Sequence, residues 1–182
     1  QTLFAMGSIT KSFTVVWLAM AADAGTLDWD VTVRGYLPGF RLGDARLGRT
    51  VTLRDLVTHR SGMPRHDALW YLGAFDRAGL MGRLAHLGPA ARRGAVFAYN
   101  NLMFMVLGQV SARLHGATWE QVTQARILAP LGMTAARLSL AGFRRARDRA
   151  KPYFPGKTGR IPIELRDTDA IGPAAAVYAN AR

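Results

Sequence analysis

Cysteine is absent from all 182 residues. That excludes disulfides, thiolate metal sites and a cysteine nucleophile, and it leaves the redox compartment open. Acidic residues are scarce, 12 against 24 lysines and arginines, and almost all of those cations are arginine. The net charge of +12 raises nucleic acid or an anionic membrane as a partner. Yet the densest basic cluster, Arg144, Arg145, Arg147, Arg149 and Lys151, has no aromatic residues alternating with its cations to stack bases. Four of its five members are expected on a short helix, as a solvated face, so no nucleic-acid partner is expected. Long apolar runs are missing too. The longest, residues 13–22, falls well short of the roughly 20 residues that a spanning helix requires. A buried helix is expected there, and no transmembrane segment. No repeat, linker or biased stretch divides the chain, and no Gly-x-Ser-x-Gly elbow occurs, which argues against an α/β-hydrolase.

What is present suits a folded domain, with 49% apolar and 20% charged residues. Residues 3–6 read as the end of a strand, and Gly7 turns the chain. A helix is predicted over residues 8–24, with Ile9, Phe13, Val16, Trp17 and Met20 forming its buried face and Gly25 ending it. Thr52 is expected to cap a helix over 53–58, and amphipathic pieces follow near 67–75 and 80–87. Residues 96–98 look extended. A helix over 101–114 carries the stripe Met103, Val106, Leu107, Val110 and Leu114, and Gly116 closes it. Thr118 and Gln121 spell a reciprocal capping box for a helix over 119–128. Residues 151–154 and 160–163 flank a Pro-Gly turn and read as a hairpin. Gly172-Pro173-Ala174 reads as a turn leading beyond the chain.

The chemistry begins at Ser8-Ile9-Thr10-Lys11. On a helix, residues three apart share a face, which brings a hydroxyl and an amine together. An alcohol needs a neighbouring base to act as a nucleophile, and a lysine serves when burial lowers its pKa. The start of a helix also favours a developing oxyanion. Read alone, the same four residues also suit a capping serine followed by a surface lysine.

The wider segment Gly7-Ser8-Ile9-Thr10-Lys11-Ser12-Phe13-Thr14 resembles the nucleophile region of serine β-lactamase-like proteins: class C β-lactamases, low-molecular-weight penicillin-binding proteins and esterases of the same fold. The resemblance continues in order through Asp23-Ala24-Gly25-Thr26-Leu27-Asp28, Tyr36-Leu37-Pro38, the stretch from Val51-Thr52-Leu53 to Ser61-Gly62-Met63, Tyr99-Asn100-Asn101 and Pro130-Leu131-Gly132-Met133. It implies an α+β fold in which a helical cluster packs on an antiparallel sheet. It also implies a single partial domain over 1–182, incomplete at both ends. Ser8 would be the nucleophile, Lys11 and Tyr99 would share the base role, and Asn101 would hold the substrate carbonyl and orient Lys11. Acyl transfer of this kind needs no cofactor and no metal. The substrate would be a small ester, a β-lactam or a peptide; residues 63–70 resemble the esterase-like branch at least as much as true β-lactamases. A non-catalytic relative that binds peptide or peptidoglycan is the alternative. The resemblance favours a periplasmic or extracellular location.

Three features invite other readings. Lys157-Thr158-Gly159 spells the family's third motif, but it follows Pro155-Gly156 and is expected in an exposed hairpin, with the true motif lying past Arg182. His59, His66 and Asp67 lack metal-ligand spacing and are expected to be scaffold residues, like the turn residue Ser61. Ala174-Ala175-Ala176 stands where relatives place glycines, so the local turn there is expected to differ.

Overall fold

A computed structural model describes residues 2–181. Its helices in chain order are α1 (Thr10–Asp23), α2 (Val33–Tyr36), α3 (Ala45–Thr50), α4 (Leu53–Val57), α5 (Ala68–Tyr71), α6 (Arg77–Arg83), α7 (Asn101–His115), α8 (Trp119–Thr123), α9 (Leu140–Arg145) and α10 (Gly172–Ala175). Its strands are β1 (Phe4–Ala5), β2 (Tyr153–Gly156), β3 (Gly159–Pro162) and β4 (Tyr178–Ala179). The two long helices stop where glycine permits a left-handed residue: Gly25 has φ 71° and Gly116 has φ 63°. Five of the shorter ones start on side-chain caps. Thr52 with Asp55 and Thr118 with Gln121 form capping boxes, and Asp44, Asp76 and Ser139 each accept a bond from the first turn.

Helix α7 is the hub. Residues 102–107 (Leu, Met, Phe, Met, Val and Leu) are all buried, as is Val110. Burying a side chain of this size contributes about 1.5–3 kcal/mol, so α7 anchors the core into which α1, α4, α8 and α10 pack. Gly108 lets α10 approach: a Cβ there would lie 2.1 Å from Cγ of Pro173. Beyond α10 the chain becomes β4, which pairs antiparallel with β1 in the register Phe4 with Ala179 and Ala5 with Tyr178. The backbone of Tyr178 also exchanges two 2.9 Å bonds with Arg137. The start and end of the described chain thus lie side by side under α1. The expected turn at Gly172-Pro173-Ala174 is instead a buried helical turn, and the strand that it feeds lies within the chain.

The predicted buried face of α1 is corrected. Ile9, Val16 and Met20 are about half exposed, whereas Thr10, Lys11, Thr14, Trp17, Leu18 and Ala21 point inward. Three of these inward residues are polar because each has a partner in the segment around α10. The Val177 N–H donates to Thr10 Oγ1 at 3.0 Å, Thr14 Oγ1 donates to the Pro173 carbonyl at 2.7 Å, and Lys11 Nζ donates to the Ala174 carbonyl at 3.1 Å. A polar group that keeps its hydrogen bonds can be buried without the desolvation penalty, and apolar periodicity does not register this. Thr14 Oγ1 also accepts the indole N–H of the buried Trp119 at 2.9 Å. Other boundaries differ as well. A 3₁₀ turn over Gly7–Ile9 precedes α1, residues 67–75 yield only one helical turn, and α8 passes into a π-helical turn over Gln124–Leu128. Only Arg144 and Arg145 of the basic cluster lie on a helix, because α9 ends there. The hairpin is present as β2 and β3, with exposed Lys157 and Thr158 between them. Among the described residues, no helix is long and apolar enough to cross a membrane.

Candidate active site

Ser8 sits in the 3₁₀ turn that leads into α1, Lys11 follows one turn later, and Tyr99 and Asn101 flank the start of α7. The packing of α1 on α7 closes a gap of some ninety residues and brings all four together. Ser8 Oγ lies 2.6 Å from Tyr99 Oη and accepts from Lys11 Nζ at 3.3 Å. Lys11 Nζ also donates to Asn101 Oδ1 at 2.8 Å and lies 4.6 Å from the centre of the Tyr99 ring. Lys11 is buried, with only 8% of its surface exposed, while Ser8 is open to solvent.

The contacts of Lys11 account for every donor of an ammonium, with one bond each to Ser8, Asn101 and the Ala174 carbonyl. Burial holds its pKa below the ordinary lysine value, a shift that the neighbouring Tyr99 hydroxyl opposes and the Arg65 cation assists. The consequence is directional. Two of the three partners are carbonyl oxygens, which can only accept. When Lys11 is neutral, its two N–H groups remain on those oxygens and its lone pair faces the Ser8 hydroxyl. The orientation of Asn101 is itself fixed, because its Nδ2 donates to Asp67 Oδ1 at 3.2 Å. A carboxylate accepts only, so the amide nitrogen must face Asp67 and the amide oxygen must face Lys11.

The loop between α4 and α5 supports this arrangement from below. His59 is 9% exposed and holds a left-handed φ of 57°, uncommon for a residue with a side chain. Its Nδ1 accepts the Asn100 N–H at 3.1 Å, and its ring packs 4.6 Å from Tyr99 and 5.1 Å from Phe104. Burial, with the Lys11 charge adding to it, lowers the His59 pKa to about 4, so the ring stays neutral and Nδ1 stays an acceptor. Asn100 caps α7 by accepting from the Met103 N–H, and its Nδ2 donates to the Pro64 carbonyl at 2.7 Å. Gly62, at φ 83°, admits the carbonyl of Ala91, which a Cβ would approach to 2.3 Å.

A sequence model described as Beta-lactamase matches residues 1–182, the whole chain. The chain belongs to the beta-lactamase family. Among relatives, it is 31% identical over 135 residues to Penicillin-binding protein 4 of Amycolatopsis lactamdurans, an alignment that covers 73% of this chain and 35% of that protein. It is 28% identical over 193 residues to Unguisins hydrolase ungD' of Aspergillus campestris, covering 99% of this chain and 36% of the relative. Among solved structures, EstCE1, a hydrolase with promiscuous acyltransferase activity, superposes with a TM-score of 0.81 at 20% identity. That match covers all of this chain and 56% of the other. The chain therefore spans about a third of the length of these two relatives and about half of the solved chain. The architecture is the helix-rich α+β fold of β-lactamases and transpeptidases, with small antiparallel sheets.

All four residues singled out from the sequence of this beta-lactamase family member converge on one point. The sequence reading missed what holds them. His59 and Asp67, taken as scaffold, touch Tyr99 and Asn101 directly. The signal in hand was their place in the family-like stretch before Tyr99. His59 needs a contact 41 residues away in sequence and Asp67 one 34 away, which spacing alone does not reveal. His66 shares the left-handed backbone, at φ 48°.

Proposed function

We propose that this protein is a serine hydrolase that forms an acyl-enzyme on Ser8, acting on an ester, amide or β-lactam carbonyl. The observation that carries this reading is the saturated contact set of Lys11, which leaves its lone pair no direction but the Ser8 hydroxyl once the proton is lost. Ser8 Oγ attacks the carbonyl carbon, and its proton passes to neutral Lys11. The tetrahedral oxyanion forms beside the start of α1, where the helix dipole stabilises negative charge. Collapse breaks the bond to the leaving group, which takes a proton through Tyr99, 2.6 Å from Ser8 Oγ. Lys11 restores that proton. Water then hydrolyses the Ser8 ester by the reverse path, and Asn101 holds Lys11 in register while offering its second amide N–H to the substrate carbonyl.

The proposed chemistry requires no cofactor. Residues 1–182 would be part of a single domain. Turnover of p-nitrophenyl acetate and of a penicillin, with protein expressed from the complete open reading frame, tests the reading. Loss of both activities in Ser8→Ala and in Lys11→Met supports it, and an Ser8→Ala variant as fast as the native protein refutes it.

A further inference from the structure

Arg65 stands at the rim of the site and has one side committed. Its Nε donates to Asp67 Oδ2 at 2.6 Å, while its side chain is 57% exposed. The guanidinium carbon lies 5.1 Å from the centre of the Tyr99 ring, whose hydroxyl touches Ser8. Among the described residues its two terminal nitrogens have no hydrogen-bond partner. Asp67 does not move freely beneath it, since its other oxygen accepts the Trp70 indole N–H at 2.8 Å and the Asn101 amide at 3.2 Å. A rotamer-rich arginine is thereby held in place by a carboxylate that is itself pinned twice. Its unused edge, two parallel N–H donors, is the shape that receives a carboxylate in a fork.

The same chain of bonds places the guanidinium relative to the reaction. Lys11, Asn101, Asp67 and Arg65 run in one hydrogen-bonded series away from Ser8. With Asn101 in the role proposed above, facing the carbonyl that stays on the serine, the series runs on from it through Asp67 to Arg65. We propose that Arg65 is a specificity-determining residue that binds a carboxylate at the far end of the acyl group, selecting substrates that transfer an acidic, dicarboxylate-type acyl chain to Ser8. This rests on the serine-hydrolase reading above, because the acyl side is defined by Ser8 and Asn101.

Two esters with one leaving group test it: mono-p-nitrophenyl adipate, which carries a free carboxylate, and its neutral methyl ester. At low salt the native protein should favour the acid by about tenfold in kcat/KM, the range expected for one charge-assisted pair at a half-exposed site. The ratio should fall to near one in Arg65→Gln, recover in part in Arg65→Lys, shrink as salt rises, and stay at the native value in the remote Arg160→Gln. A native ratio near one, or a ratio that Arg65→Gln does not change, overturns the proposal. So does a preference that follows charge on the leaving group, read by comparing 4-acetoxybenzoate with phenyl acetate. A second readout needs no turnover: the Kd of monomethyl adipate for the Ser8→Ala protein, which Arg65→Gln should weaken by about tenfold. Arg65-dependent binding without turnover of any ester would sink the hydrolase reading and leave the anion site standing, whereas turnover without Arg65 dependence would do the opposite.

Discussion

Replacing Gly108 with alanine should reverse the usual sign of a glycine-to-alanine change in a helix. In a free helix interior, alanine is favoured by about 0.8–1 kcal/mol. Gly108 lies in the middle of α7, yet its added Cβ would sit 2.1 Å from Cγ and 2.7 Å from Cβ of Pro173. Carbon atoms rest at about 3.5–4.0 Å, so α7 and α10 must separate by roughly 1.5 Å. Proline cannot turn its ring aside as a flexible side chain could. Overpacking of this kind costs about 1–3 kcal/mol, enough to exceed the helix-propensity gain. At this chain length each kcal/mol moves Tm by about 2–4 °C. The damage should also reach the chemistry, because Pro173 and Ala174 supply the carbonyls that hold Thr14 and Lys11. Gly82 is the control: it lies in α6, and nothing stands within 4 Å of its virtual Cβ. Thermal unfolding by circular dichroism and the rate of fluorophosphonate labelling should both decline in Gly108→Ala and not in Gly82→Ala. A Gly108→Ala protein with Tm at or above the native value would refute the packing argument.

The acylation rate should rise with pH and level off at an apparent pKa below 10.5, because burial favours neutral Lys11; a rise centred at or above 10.5 would contradict the assignment of Lys11 as base. His59→Phe keeps a ring beside Tyr99 but removes the acceptor of the Asn100 N–H, so kcat should drop by about tenfold while KM changes less, and unchanged kcat would show that the bond is dispensable. His59 also shapes acid stability. The unfolded chain takes up this proton near pH 6.5 and the native state only near 4, so native stability should fall as pH drops through that window, and His59→Phe should lose less over it in denaturant titrations at each pH. Thr14→Val leaves the Trp119 indole N–H without its acceptor and should cost about 1–3 kcal/mol in urea unfolding; a neutral outcome would mean that the Thr14 hydroxyl contributes nothing net.

Where the sequence was legible, the signals were local. Gly25 and Gly116 marked helix ends because a left-handed residue is a property of one position, and Thr118 with Gln121 marked a start because the box closes within four residues. Lys157-Thr158-Gly159 could be set aside as a hairpin for the same reason. Ser8, Lys11, Tyr99 and Asn101 were legible through the family-like motifs around them. What failed was long-range. β1 and β4 are two residues each and exist only because they pair across the length of the chain. The inward face of α1 was misassigned because Thr10, Lys11 and Thr14 find their partners more than 150 residues later, which inverts the ordinary expectation that apolar residues turn in. The parts played by His59, Asp67 and Arg65 depend on the loop over 59–67 folding beneath the start of α7, and no local pattern encodes that approach.

The central claim is that Ser8 becomes covalently acylated. Intact-mass analysis after incubation with a fluorophosphonate and, separately, a penicillin tests it most directly, with Ser8→Ala in parallel and protein expressed from the complete open reading frame. A single adduct on the native protein, mapped to the peptide bearing Ser8 and absent from Ser8→Ala, is the expected result. No adduct from either reagent in a folded protein, or one that persists in Ser8→Ala, would contradict the account.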